Sequence, residues 1–334
     1  MIIRRSDDME VKHKPNNKLV GIIITLAIIF LTGGFIGSIV EDKFGGSNDT
    51  RTILQGEGAE ANGNNKSVSV DGELKVHFID VGQADSILIE NKGEYMLIDA
   101  GNNADSDLVV NYIKDKNIKN LKYVVGTHPH EDHIGGLDKV IDNFNIDTLY
   151  MPKATATTKT FKDVVASAKS KNLKFTTPKV GEKFTLGDSS CTIFAPNSES
   201  YEDMNEYSIV IKLEYGSTSF LFTGDAESES EREILDKKFD LKSTVLKVGH
   251  HGSHTSTSDE FLNQVNPTYG VIMVGQDNDY GHPRQNIMDK LKNKGVKVYR
   301  TDEQGTIIAT SDGKEVKFNV EPGSYKGLTK GKSK

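Results

Sequence analysis

Thr127-His128-Pro129-His130-Glu131-Asp132-His133-Ile134-Gly135-Gly136 is the stretch on which the reading of this chain turns. It follows directly on an apolar run, residues 122–126, that reads as a strand. Three imidazoles and one aspartate fall within six positions, on what must be a loop. Neutral imidazole is a common metal ligand, and a carboxylate adds negative charge for a divalent cation. A strand end holds such a loop rigidly, and Gly135-Gly136 read as permitting a tight turn into the next helix. Two later loops also close apolar strands: Phe222-Thr223-Gly224-Asp225, and Val248-Gly249-His250-His251-Gly252-Ser253-His254. An Asp after Gly is by itself usually a turn or cap residue. Its pairing with a His-His-Gly loop shifts that weighting, because ligands gathered from several strand ends make a metal site.

Outward from these loops, residues 74–320 alternate short β-rich runs with helical ones. Strands are predicted at 74–80, 85–90, 95–100, 122–127, 208–215, 218–224, 244–249 and 269–275. Helices are predicted near 106–116, 135–144, 158–171, 227–238 and 284–293. Several strands are near-continuous apolar runs, as in sheets covered on both faces, which implies a layered α/β arrangement. The one cysteine, Cys191, excludes an intrachain disulfide and reads as a buried apolar residue. His77 alternates within a strand and reads as structural.

The N-terminal quarter is different. Residues 1–18 are polar, and residues 19–40 carry no charge. A run of about 22 residues can cross a hydrocarbon core of about 30 Å. A cleaved signal peptide would have a shorter apolar region and an A-x-A-like site, which Ser38-Ile39-Val40 matches poorly. The reading is therefore a retained transmembrane helix, with secretion after cleavage as the alternative. Arg4, Arg5, Lys12, Lys14 and Lys18 precede the helix, so residues 1–18 form a cytoplasmic tail and the remainder lies outside. Residues 41–73, rich in Gly, Asn and Ser, read as a flexible linker, and 321–334 as a basic flexible tail.

At this point the chain resembles the metallo-β-lactamase superfamily. The finer pattern resembles the soluble domain of ComEC-type competence proteins. The resemblance rests on His77-Phe-Ile-Asp-Val-Gly-Gln-Ala-Asp85, Leu97-Ile-Asp-Ala-Gly101, the His128 loop, Leu221-Phe-Thr-Gly-Asp-Ala226, Leu246-Lys-Val-Gly-His-His-Gly-Ser253 and Tyr280-Gly-His-Pro283. It covers about residues 74–310. It implies an αββα sandwich with two metal ions, usually zinc, at one edge. Carried over by motif, His128 and His130 hold the first metal. Asp132, His133 and His250 hold the second, Asp225 bridges, and His251 is the fallback for His250. Asp99 resembles the family's supporting aspartate. The superfamily's usual third histidine for the first metal is missing, since no His occurs between 133 and 250. Asn205, Ser208 or water is expected there, leaving a weaker site that accepts manganese.

The activity implied is metal-dependent hydrolysis by a metal-bound hydroxide, oriented by Asp132, with His282 as a substrate contact or general acid. Phosphodiesterase or nuclease chemistry is favoured over β-lactam hydrolysis, because the finer motifs point to another branch. A di-iron redox protein of this fold usually has Glu where His130 stands. The alternative is a non-catalytic DNA-binding competence accessory or scaffold domain. A net charge of −7 argues against a dedicated duplex-DNA binder. The expected substrates are phosphoesters, single-stranded nucleic acid or a cell-envelope phosphodiester; oligomeric state is open. The topology has a direct test. Protease added to intact cells should remove the domain beyond residue 40, whereas full protection until lysis would reverse the orientation.

Overall fold

The computed structural model describes residues 70–328, apart from residue 71. The expected cytoplasmic tail, the membrane helix at 19–40, most of the 41–73 linker and residues 329–334 lie outside the described residues. Among the described residues, no helix is long and apolar enough to cross a membrane.

Two twisted sheets form the centre. Across the first, the order is Val316–Phe318, Ile307–Ser311, Leu74–Phe78, Ile87–Asn91, Glu94–Ile98, Asn120–Val125, Asn145–Tyr150 and Phe175–Thr176. Across the second it is Lys297–Arg300, Tyr269–Ile272, Val245–Lys247, Thr218–Phe222, Val210–Tyr215, Ser189–Ala195 and Lys183–Leu186. Strand side chains alternate between faces, and the sequence uses both. Ile87 and Ile89 join Phe220, Phe222, Val245 and Val271 in one core between the sheets. Leu88, Leu97 and Val124 face outward and pack with Val109, Ile113, Val140 and Val164 from helices Ser106–Asp115, Leu137–Asn143 and Lys159–Ser170. On the second sheet Leu221, Leu246 and Ile272 meet Ile234, Phe261 and Leu291 from helices Ser228–Asp236, Asp259–Val265 and Gln285–Asn293. The order is therefore helices, sheet, sheet, helices, an αββα sandwich. Burial on both faces is why the strands read as unbroken apolar runs.

The placement of the site follows from strand direction. Glu94–Ile98, Asn120–Val125 and Asn145–Tyr150 run parallel to one another. So do Thr218–Phe222, Val245–Lys247 and Tyr269–Ile272. Carboxyl ends of parallel strands are where open α/β sheets gather ligand-binding loops. Asp99, the His128 loop, Asp225 and the His250-His251 loop each follow such an end.

Three local expectations need correction. Gly135 and Gly136 do not supply turn freedom. Their φ values of −56° and −90° are open to any residue. A Cβ on Gly135 would lie 2.2 Å from the Asn102 backbone, and one on Gly136 2.4 Å from the Ala100 carbonyl oxygen. Close approach of the metal loop to the Asp99 loop is what requires glycine there. The helix Asp259–Val265 and the strands after residue 290 were not anticipated, because short runs interrupted by polar residues carry little periodicity. The tail expected to be flexible from residue 321 is held as far as Leu328. Leu328 N donates to Pro283 O at 2.8 Å, Gly327 N to Gln285 Oε1 at 2.8 Å, and the Tyr325 hydroxyl to Val296 O at 2.6 Å. Cys191 is buried, and His77 is 2% exposed between Tyr112 and Glu90, as structural residues should be.

Candidate metal centre

The loops converge on the fully buried carboxylate of Asp99. Its Oδ1 accepts from Thr127 N at 2.8 Å, and its Oδ2 accepts from Thr127 Oγ1 at 2.7 Å. Oδ2 also lies 2.8 Å from His133 Nδ1. An imidazole whose Nδ1–H is held by a carboxylate presents its Nε2 lone pair in a fixed direction. Here that direction is toward Asp225, whose Oδ2 lies 3.2 Å from His133 Nε2. Among the described residues, neither His133 Nε2 nor Asp225 Oδ1 has a hydrogen-bond partner, although both are buried.

His128 and His130 face each other, with Nε2 and Nδ1 3.0 Å apart. Behind His128, the buried Ser208 Oγ lies 3.3 Å from its Nδ1 and accepts from Asp225 N at 3.1 Å. Ser208 thus braces two ring and backbone positions from behind instead of pointing into the space between the imidazoles. Asn205 differs. Its Nδ2 donates to Glu227 Oε1 at 3.1 Å, and its buried Oδ1 has no partner. It lines the cleft above the cluster.

The His-His loop reverses the expected order of its two residues. His250 and His251 have φ values of 48° and 53°, left-handed backbone that non-glycine residues rarely adopt. Two such residues in succession swing the second ring inward. His251 Nδ1 donates to Met273 O at 2.8 Å, leaving Nε2 3.3 Å from Asp132 Oδ2 and 3.5 Å from Asp225 Oδ2. Asp132, His133, Asp225 and His251 place one ligand atom each within 4.8 Å of all the others. His250 stands at the wall. Its Nδ1 is held by Glu227 at 2.9 Å, with Nε2 3.6 Å from Asp225 Oδ2. Such backbone strain is legible only in three dimensions.

Charge balance shows that the donor set fits a cation. Burial opposes ionisation throughout, yet the carboxylates of Asp225, Asp132 and Asp99 outweigh it and hold the His133 imidazole well above its ordinary pKa. Burial likewise works against the Asp225 carboxylate, and His133 and His251 overcome it, lowering its pKa. Without ions, protons on imidazoles balance the carboxylates. A divalent ion neutralises the same carboxylates while using the imidazole lone pairs that the protons occupy.

Two residues of the site were not singled out from the sequence. Lys247 is 1% exposed, with Nζ 2.5 Å from Asp85 Oδ2, 3.1 Å from Gly224 O and 3.8 Å from Asp225 Oδ1. Asp85 is equally buried, and its Oδ1 lies 3.4 Å from His251 Nδ1. The available signal was a lone lysine inside an otherwise apolar strand. This pair ties the Asp85 loop of one sheet to the Gly224-Asp225 turn of the other. Removing one member leaves a buried charge, at a cost of about 3–5 kcal/mol. With metal stripped by chelator, Lys247→Met should therefore destabilise by about that amount in urea unfolding. The double variant Lys247→Met/Asp85→Asn should recover much of it. Additive losses in the double-mutant cycle would show that the pair is not coupled.

His282, in the loop after Tyr269–Ile272, is 5% exposed and stacks over His251 at 6.5 Å and 24°. Its Nδ1 has no partner. Burial, and then the charges of His251, His250 and Arg284, push its pKa down to about 3. It is a neutral imidazole at pH 7, suited to hydrogen bonding and too weak an acid to protonate a leaving group. His254 is exposed on the surface.

With this geometry in view, comparison with known proteins is informative. Residues 79–276, more than half of the chain, match the family model described as the metallo-beta-lactamase superfamily. ComE operon protein 3 of Bacillus subtilis is 30% identical over 76% of this chain and 35% of its own length. Competence protein ComA of Neisseria gonorrhoeae is 29% identical over 71% of this chain and 32% of its own. Recombination protein 2 of Haemophilus influenzae is 28% identical over 70% of this chain and 28% of its own. The chain thus spans about a third of the length of the curated relatives it matches. The chain belongs to the metallo-beta-lactamase superfamily and within it resembles the ComEC-type competence proteins.

Proposed function

We propose that this cleft hydrolyses phosphodiesters with two divalent cations. The observation that carries the reading is the four-residue cluster of Asp132, His133, Asp225 and His251, set beside the His128–His130 pair. His130, Asp132, Asp225 and His251 line an open cleft of about 280 Å³, and His128 and His133 are fully buried. Asp132, His133 and His251 would hold one ion and His128 and His130 the other, with Asp225 shared. The orphaned Asn205 Oδ1 is the candidate to complete the His128–His130 side, and His250 is the alternative donor from the wall. Bound ions would supply an acidified water, of pKa about 7, and positive charge for the developing phosphoryl oxyanion.

The chain's own residues do the positioning. Asp132 is the cluster carboxylate most open to the cleft, with its side chain 32% exposed, so it can accept a hydrogen bond from the attacking water. His282 offers a hydrogen bond to a substrate oxygen. Relatives named for competence and recombination favour a nucleic-acid phosphodiester over a β-lactam. An extracytoplasmic position, held by residues 19–40, belongs to the same reading.

Asp132→Ala should lower turnover of bis-p-nitrophenyl phosphate by about a hundredfold or more, with its unfolding transition retained. Near-normal turnover would sink the reading. A wild-type protein that binds metal with no turnover of phosphodiesters or nucleic acid would favour the non-catalytic alternative.

The two ions should bind unequally. One set has two imidazoles and two carboxylates, which suits zinc. The other has two imidazoles, a shared carboxylate and an amide oxygen, a weaker donor to zinc that manganese tolerates. Chelation should remove one equivalent before the other, as read by metal analysis. Asn205→His should tighten the weaker site. Because His133 must lose its proton to ligate, metal uptake should release protons in weakly buffered solution, and affinity should fall as pH falls. Two equally tight zinc ions, unaffected at Asn205, would show that another group completes the first set.

A further inference from the structure

Four large apolar side chains are strongly exposed among the described residues: Leu108, Val165, Phe175 and Tyr280. Tyr280 is the most exposed, at 63%, and of the four it alone lines the cleft of the metal centre. Its ring lies over His282 at 5.8 Å and 24°, and His282 lies over His251 at 6.5 Å and 24°. A ladder of successively near-parallel rings therefore runs from the floor of the cleft to its rim, and the last ring is largely exposed.

The loop that carries this ring is braced. Gly275 N donates to Gln83 Oε1 at 3.1 Å, tying the start of the loop to another residue that lines the cleft. Asn278 spans the rest. Its Nδ2 donates to Gly275 O at 2.9 Å and to His282 O at 2.6 Å, and its Oδ1 accepts from His282 N at 3.0 Å. Tyr280 is thus held out in solvent by a structured loop, with the hydrophobic cost of that exposure left uncompensated among the described residues. The loop's flanking charges, Asp277 and Asp279, are both exposed and acidic, so they repel phosphate. What this rim can attract is an aromatic group, while the centre below attracts the phosphate.

We propose that Tyr280 is a specificity-determining residue of this site, stacking on the base next to the scissile phosphodiester. The assignment rests on the phosphodiesterase reading for the reaction, and it is testable apart from it. Base–aromatic stacks are tolerant of base identity, so the platform favours strands whose bases are unpaired without selecting a sequence.

The chain has no tryptophan, so Tyr280→Trp introduces a single indole reporter at the rim. A short single-stranded oligonucleotide should quench it, and an abasic strand of the same length should not. In the full chain, Tyr280→Ala should weaken binding of the base-bearing strand by about five- to a hundredfold, the range for losing one stack. Binding of the abasic strand should change far less, so the preference between the two strands collapses. Tyr280→Phe should keep that preference. Equal affinity of the wild-type protein for both strands, or equal losses for both in Tyr280→Ala, would overturn the proposal. Base preference without turnover would leave the stacking subsite standing and remove the hydrolytic reading. Turnover without base preference would do the reverse.

Discussion

The His128 loop depends on one buried carboxylate behind it. Asp99 sits wholly buried at the end of a parallel strand, in left-handed backbone at φ 58°. Burial raises its pKa, and His133 pulls it back. Its oxygens are engaged by Thr127 N, Thr127 Oγ1 and His133 Nδ1. One side chain therefore sets where the metal loop begins, how its second half turns, and which nitrogen of His133 faces the cluster. Gly135 and Gly136 let the loop approach closely enough for those bonds to form.

The second sheet makes the complementary half by the same means. Asp225 follows one parallel strand, the His250-His251 turn follows the next, and His282 lies in the loop after a third. The two halves are joined beneath the site by Lys247 and Asp85, a fully buried ion pair between sheets. Several carboxylates confined in a dry space would repel one another. Lys247 offsets part of that charge, protonated imidazoles offset more, and bound cations would take over from the protons. The strain in the His-His turn fits this picture, since backbone in rare conformations persists where the surroundings over-determine it.

Much of this was legible in the residues themselves. The His128 loop identifies itself by composition, because four ligand-type side chains in six positions leave little room for another reading. The long strands and the helices Ser106–Asp115 and Lys159–Ser170 show in the apolar pattern. The shorter elements show unevenly: Val245–Lys247 and Tyr269–Ile272 lie in apolar runs that were read, whereas Lys297–Arg300 and Val316–Phe318 are broken by charged residues and carry two periods or fewer. Asp85 and Lys247 stayed hidden for a different reason. Each lies in a run that drew notice for other residues, and a buried charge is recognisable only once its partner is placed beside it.

By itself, then, the sequence determined the layered class, the location of the candidate metal-ligand loops at strand ends, and the absence of a third histidine between 133 and 250. Those are matters of residue type and order along the chain. The tertiary structure decided which of two adjacent histidines enters the cluster, that Ser208 braces while Asn205 points an unpartnered oxygen, and that Lys247 pairs with Asp85. It also decided that Tyr280 stands at the rim of the same cleft. These depend on backbone dihedrals and on contacts between positions up to about two hundred residues apart, such as Gly275 with Gln83. No local pattern encodes the direction in which a side chain points once two sheets have closed on each other.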